Sequence, residues 1–333
     1  MKKQSASSAA AHKEEKRWDT DNLSLAADVA WLHLVQGLSQ AEVADRRGMS
    51  RMKVHRLLQL AYERGYVRVF VDRVPTFCME LEKELIAAFG LSACMVAPDG
   101  GTEGDMFSAM SVVSTAAASF LFNRLESTEP RTIGIGSGRT MAATVRSLPS
   151  VHRPDTSFVS LTGDFAVLND ANPFEVINTL IQKTGGKGHA FTAPLIVETA
   201  ADRELFLRQR GMSWAMKLVN EADFYFTGLG HVGVNSFFES YSLLSKLEIK
   251  ELRDLNVVAD IAGNLLTDTG KFITESVALR TIGVSPAILS SHELIIVAGG
   301  AEKAQAGFAA LKSGCVNGFI TNEGMAKAIL GLM

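Results

Sequence analysis

Cysteine is scarce: only Cys78, Cys94 and Cys315 occur in 333 residues. Their odd number and wide spacing exclude a disulfide framework and any metal-ligand pattern, so they read as reduced and mostly buried. No apolar run reaches the ~18 residues that a membrane span needs, and Met1 to Arg17 is polar with no signal-peptide core, so a cytoplasmic protein is expected. There is no large surplus of charge. Thirty-three Lys and Arg face 36 Asp and Glu, and 47% of residues are hydrophobic, which excludes a disordered or collagen-like chain. The Gly134 to Thr140 run is neither GxGxxG nor a Walker loop, which argues against dinucleotide or nucleoside triphosphate binding there, and no nucleophile elbow or paired-carboxylate motif marks a hydrolase. His152, His189, His231 and His292 are scattered singly and read as surface or hydrogen-bonded histidines. At roughly 100 to 200 residues per domain, the length allows two or three units.

The charge that is present is unevenly placed. Residues 1–75 hold 13 Lys and Arg against 9 Asp and Glu, which leaves 20 against 27 for the remainder. Residues 1–17 show no apolar period and read as a disordered tail. Asp21 to Gln36 carries Leu25, Val29, Leu32 and Val35 at helical steps, and Gly37 ends that helix. Ser39 caps a second helix, Gln40 to Arg47, with Glu42 three residues on. Gly48 breaks the chain, and Ser50 caps a third helix, Arg51 to Arg64, with Val54, Leu57, Leu58 and Ala61 inward and Arg51, Lys53, His55 and Arg56 free to point outward. Tyr66 to Val71 alternates like a short strand or wing. Two short helices at a tight Gly turn, the second basic in its first turns, match a helix-turn-helix, whose second helix fits the major groove. A helical hairpin used only for protein contacts is the alternative.

Beyond Phe77 to Phe89, an apolar helix expected to connect domains, the pattern becomes alternating strands and helices. Strands are expected at Cys94 to Ala97, Thr132 to Ile135, Ser157 to Leu161, Ala190 to Ile196, Asp223 to Thr227, Val257 to Ile261, Glu293 to Ala298 and Gly318 to Thr321. Helices are expected at Ala109 to Leu125, Met141 to Leu148, Pro173 to Thr184, Asp202 to Asn220, Phe237 to Leu247, Ala301 to Lys312 and Gly324 to Leu330. That order predicts an α/β fold with a mostly parallel sheet, whose ligands gather at the C-terminal strand ends. Gly136-Ser137-Gly138-Arg139-Thr140, between a strand and a helix, could form an anion site from backbone N–H groups, hydroxyls and a guanidinium, or be a structural turn. Thr162-Gly163, Gly228 to Gly230, Asp260 to Asn264 and Gly299 to Lys303 are further loops of suitable chemistry. Lys303 in a first helical turn is unfavourable unless it meets an anion.

The run from Gly37 through Leu58, "GLSQAEVADRRGMSRMKVHRLL", resembles the DNA-binding module of the SorC family of bacterial sugar-responsive regulators. Gly134 to Thr140, Asp260 to Gly270, Val297 to Lys303 and Gly318 to Glu323 resemble successive signatures of its effector domain. Trp31 to Val35, Lys53 to Leu57 and Ala97 to Asp99 are similar to the erythritol-catabolism repressors within it. The resemblance implies a winged helix-turn-helix domain at 18–75 and a Rossmann-like effector and oligomerisation domain at 76–333, similar in fold to sugar-phosphate isomerases. It implies operator DNA as one partner, met by Ser39, Gln40, Ser50, Arg51, Met52, Lys53, His55 and Arg56. It implies a phosphorylated sugar or polyol as effector, held by Gly136, Ser137, Gly138, Arg139, Thr140 and Lys303, with Thr162, Gly163, Gly228 and Gly230 lining the pocket and Asp260 near the sugar. A homo-dimer or homo-tetramer acting as a repressor is expected, without cofactor, metal or membrane. The alternative is an isomerase- or deaminase-like enzyme with an accessory module, for which Asp164, Asp260, Asp268, Glu302 and His189 are conceivable acid–base groups.

Overall fold

The computed structural model describes residues 22–63, 66–67, 75–99, 106–127, 131–165, 172–232, 236–240 and 243–333. The expected tail, and the expected wing strand beyond Val67, lie outside the described residues. Two units result, Met1–Val69 and Phe70–Met333.

In the first unit, helix α1 (residues 22–30) widens into a π turn at Trp31–Val35, followed by α2 (Gln40–Arg47) and α3 (Arg51–Glu63). The capping box is formed: Ser39 Oγ accepts from Glu42 N, and Glu42 Oε2 accepts from Ser39 N at 2.7 Å. That second bond, with a hydroxyl contact to the same serine, holds the Glu42 carboxyl below its ordinary range. Gly48 ends α2 at φ 62°, where a side chain would be strained. Ser50 Oγ accepts from Lys53 N and starts α3. The helices bury Val29, Leu32, Val43, Val54, Leu57 and Ala61 against one another, which leaves the basic side of α3 in solvent.

The second unit is a three-layer α/β structure. It comprises α4 (Thr76–Phe89), β1 (Ala93–Ala97), α5 (Met106–Ser127), β2 (Thr132–Ile135), α6 (Arg139–Ser147), β3 (Ser157–Ser160), α7 (Pro173–Thr184), β4 (Lys187–His189), α8 (Ala200–Leu207), α9 (Arg210–Asn220), β5 (Phe224–His231) and α10 (Phe237–Ser240). The chain continues through α11 (Lys246–Asp254), β6 (Val257–Ile261), β7 (Asn264–Thr267), α12 (Pro286–Ser290), β8 (Leu294–Val297), α13 (Ala304–Lys312), β9 (Gly318–Asn322) and α14 (Glu323–Leu330). The main sheet runs β1-β9-β8-β5-β2-β3-β4, and every pair in it is parallel. Its faces are apolar on both sides, as a sheet covered by helices requires. Phe224 and Phe226 join α5, α6 and α7 in one core, while Tyr225 between them joins the α9, α13 and α14 core.

Several expected boundaries shift for identifiable reasons. The strand expected at Ala190 to Ile196 is irregular chain after β4, held by isolated bridges from Pro194 to Asp164 and from Ile196 to Thr281. The single helix expected over Asp202 to Asn220 breaks between α8 and α9, where Arg208 N and Gln209 N bond back and end the first. The helix expected over Phe237 to Leu247 is two, because Ser245 forms a fresh capping box with Glu248. The segment Asp260 to Asn264 is the closed end of the antiparallel β6–β7 hairpin and not a strand–helix loop. Its turn carries Ala262 at φ 50° and Gly263 at φ 82°.

Candidate functional site

Strand β5 belongs to two sheets. Tyr225 to Gly228 pair with β8, whereas Leu229 to His231 pair antiparallel with β6, with Gly230 opposite Asp260. The crossing lies at the C-terminal ends of the parallel strands, and a cavity of about 90 Å³ opens there. Ser137, Gly138, Arg139, Thr140, Thr162, Gly228, Gly230, Asp260 and Lys303 all line it. The structure brings these nine sequence-chosen residues together. A wider groove of about 480 Å³ along Val232, Arg253, Asp268 and Phe308 holds none of them.

Gly136 and Gly163 do not reach the cavity, contrary to expectation. A Cβ on Gly136 would stand 1.8 Å from Thr227 Oγ1, and one on Gly163 would stand 2.5 Å from the Pro194 carbonyl oxygen. Both glycines are required by chain packing. Gly138 is different: nothing lies within 4 Å of its would-be Cβ, and its φ of 104° is the reason for glycine. Leu195, Thr227, Leu229, His231, Ala262 and Gly263 complete the wall. His231, read from the sequence as a surface or hydrogen-bonded histidine, stands on the cavity wall next to Gly230. Leu195 arrives on the irregular segment that was expected to be a strand.

The first end of the cavity is cationic and rich in donors. Helix α6 begins at Arg139 behind Gly138, and no side chain caps it, so its first amides face the cavity mouth without an internal partner. Lys303 sits where a 3-10 turn, Ala301–Lys303, passes into α13. Burial and the Arg139 charge lower the Lys303 ammonium, which Glu302 opposes in part. Among the described residues no carboxylate closes an ion pair with it within 4 Å. The turn is braced from below: Gly300 N donates to Asn322 Oδ1 at 2.9 Å, and Asn322 Nδ2 donates to Asp99 Oδ1 at 2.6 Å.

The other end is a carboxylate. Asp260 Oδ2 lies beside Gly230, the Gly263 N–H donates to the group, and Oδ1 is buried with no hydrogen-bond partner among the described residues. Burial pushes the acid up to about 7, more than the Gly263 hydrogen bond brings it down. The remaining acid–base candidates are dispersed. Asp164 Oδ1 accepts from Asn172 Nδ2, and His189 lies edge-on to Trp214 at 4.7 Å. Asp268 and Glu302 are exposed. Asn264, considered as a sugar ligand, spends its amide on the carbonyls of Ile261, Ala262 and Val284 and so fixes the hairpin turn.

In the first unit, Ser39, Ser50, Arg51, Met52, Lys53, His55 and Arg56 are exposed and Gln40 is half-buried. Residues 51, 52, 55 and 56 recur at the spacing of one helix face, with Lys53 at its edge. Arg47 is engaged with Asp28 and is not part of that face.

A doubly covered parallel sheet with a polar pocket at its strand ends, joined to a helix-turn-helix unit, defines a ligand-responsive regulator class. Residues 73–331 match the family described as "Putative sugar-binding domain", and the chain belongs to that family. It is 36% identical over 313 residues to the erythritol catabolism regulatory protein EryD of Brucella abortus, covering 94% of this chain and 98% of that one. It is 28% identical over 318 residues to the transcriptional regulator LsrR of an Enterobacter species, covering 92% and 93%. Among solved structures, the full-length sorbitol operon regulator SorC of Klebsiella pneumoniae shares the fold, with a TM-score of 0.71 at 21% identity over 93% of this chain and 99% of that one. A DeoR family regulator of Listeria monocytogenes gives 0.69 at 23% identity over 76% and 99%. The chain is a transcriptional regulator. No described helix is long and apolar enough to cross a membrane.

Proposed function

We propose that this regulator grips operator DNA through α3 and responds to a phosphorylated sugar or polyol bound in the β5 cavity. The observation that carries the reading is Lys303, largely withdrawn from water beside Arg139 and the open start of α6, offset in part by Glu302 but in no ion pair within 4 Å among the described residues. Such a group is stabilised by a small anion, and a phosphate supplies three strong acceptors. Ser137 and Thr140 add hydroxyls, while Asp260 and Thr162 offer polar groups to the remainder of the ligand. The polyol part of the reading rests on the likeness to a regulator named for erythritol catabolism.

The DNA part rests on a basic, solvent-facing helix start whose inner side alone is packed. One such helix gives limited contact, so a homo-oligomer acting as a repressor is included, with Phe77, Met79 and Ile86 exposed on α4 as an assembly surface. A thermal-shift screen of phosphorylated and free sugars and polyols tests the effector, and footprinting with and without each hit tests the control of DNA binding. The reading requires that phosphorylated compounds raise the melting temperature, that free polyols do so far less, and that a hit releases the operator. No shift from any phosphorylated compound refutes it.

A further inference from the structure

The two ends of the cavity differ in chemistry, and β5 measures their separation. A Cβ on Gly228 would stand 3.5 Å from the Ser137 carbonyl oxygen, and one on Gly230 would stand 3.0 Å from Asp260 Oδ2. Alternate strand residues point to the same side and are about 7 Å apart. The donor end and the carboxylate end are therefore separated by roughly that distance, a span that a short phosphorylated chain can bridge.

The charges do not mix along it. Arg139 and Lys303 line the donor end, whereas Asp260 stands beside Gly230 at the other. His231 is the other titratable group on the wall. Asp260 Oδ1 is thus a buried acceptor without a donor among the described residues, next to space that a ligand fills. A hydroxyl supplies the missing donor. A second phosphate or a carboxylate supplies none, and it meets like charge in a site of low effective dielectric.

Taking the cavity as the effector site, as proposed above, we infer that Asp260 restricts the effector to molecules with one anionic end and a neutral hydroxyl at the other. Bisphosphates and phosphorylated sugar acids are rejected by the uncompensated carboxylate. The hydroxyl donates to Oδ1, so a compound with a carbonyl or a methylene at that position forfeits the contact.

The test uses the full chain at pH 8, where Asp260 is ionised, and isothermal titration with matched probes of four, five and six carbons. Each set holds an alditol monophosphate, the aldonate phosphate of the same length and the alditol bisphosphate. Among the probes that bind wild type, the alditol monophosphate is expected to bind at least about tenfold tighter than its dianionic partners. Asp260→Asn, which keeps the shape and removes the charge, is expected to narrow the gap to within about threefold. Equal wild-type affinity for the acid or bisphosphate overturns the inference, as does a gap that survives Asp260→Asn. Loss of all binding in Asp260→Asn with an unchanged melt also overturns it, because Asp260 would then supply affinity without selection. Asp260→Ser serves the same comparison if the first variant does not fold. Binding of no probe to wild type removes the effector reading itself, an outcome distinct from binding without discrimination.

Discussion

Asp260→Asn should also stabilise the ligand-free protein in alkaline solution. Burial pushes the native carboxyl up to about 7, against 3.8 for an exposed aspartate. The folded state therefore binds more protons than the unfolded chain between those values, and folding becomes less favourable as pH rises through that window. Below about pH 4 both states are protonated and the penalty vanishes; above the native value it is fully present. Three pKa units at 1.36 kcal/mol each set its size at about 4 kcal/mol. Asparagine does not ionise, so the variant carries only an offset that is constant with pH. Urea denaturation of both proteins between pH 5 and 8, followed by circular dichroism, should show the stability difference moving in favour of the variant by about 2.5 kcal/mol across the range, the rest of the penalty having already been incurred below pH 5. A difference that stays flat with pH would refute the argument that Asp260 is an uncompensated buried carboxylate. Saturating effector should reduce the wild-type penalty, since a donated hydroxyl favours the ionised form.

Three other changes probe separate parts of the molecule. Replacing Arg51, Lys53 and Arg56 together by Ala should abolish operator footprints without lowering the melting temperature, because all three side chains lie in solvent; residual non-specific binding should lose about 3 units of salt slope. Gly136→Ala should cost about 1–3 kcal/mol or more in chemical denaturation by driving a methyl into Thr227, and Thr227→Gly in the same chain should recover part of it. Asn264→Ala removes the donor to two hairpin carbonyls and to that of Val284 and should cost about 1–3 kcal/mol, with weaker effector binding in calorimetry because the turn beside Asp260 loosens.

The first unit was legible in the sequence because local chemistry fixes it. Ser39 with Glu42, Gly48 and Ser50 each do in the structure what a cap or break does in isolation. The strand ends of the second unit were legible for a related reason: a small-residue turn between a strand and a helix start has few other uses. What the sequence concealed is non-local. Gly134, Gly136 and Gly138 read as one alternating loop, yet Gly134 makes room for the Tyr225 ring, Gly136 for Thr227, and only Gly138 shapes the cavity edge. The contributions of Leu195 and His231 depend on which distant segment comes to rest beside the strand ends, and no local period records that. The β6–β7 hairpin was not legible because Asn264 to Thr267 is short and its two-residue turn is Ala262-Gly263 rather than the usual Asn-Gly or Asp-Gly.

Because β5 serves both sheets, the hairpin's strand pairing to the main sheet runs through one shared strand at the place where the cavity lies. A small molecule fastened at Ser137 and again at Asp260 acts as a brace across that joint. Occupancy then becomes readable at a distance from the ligand, as slower hydrogen exchange of the β6 and β7 amides.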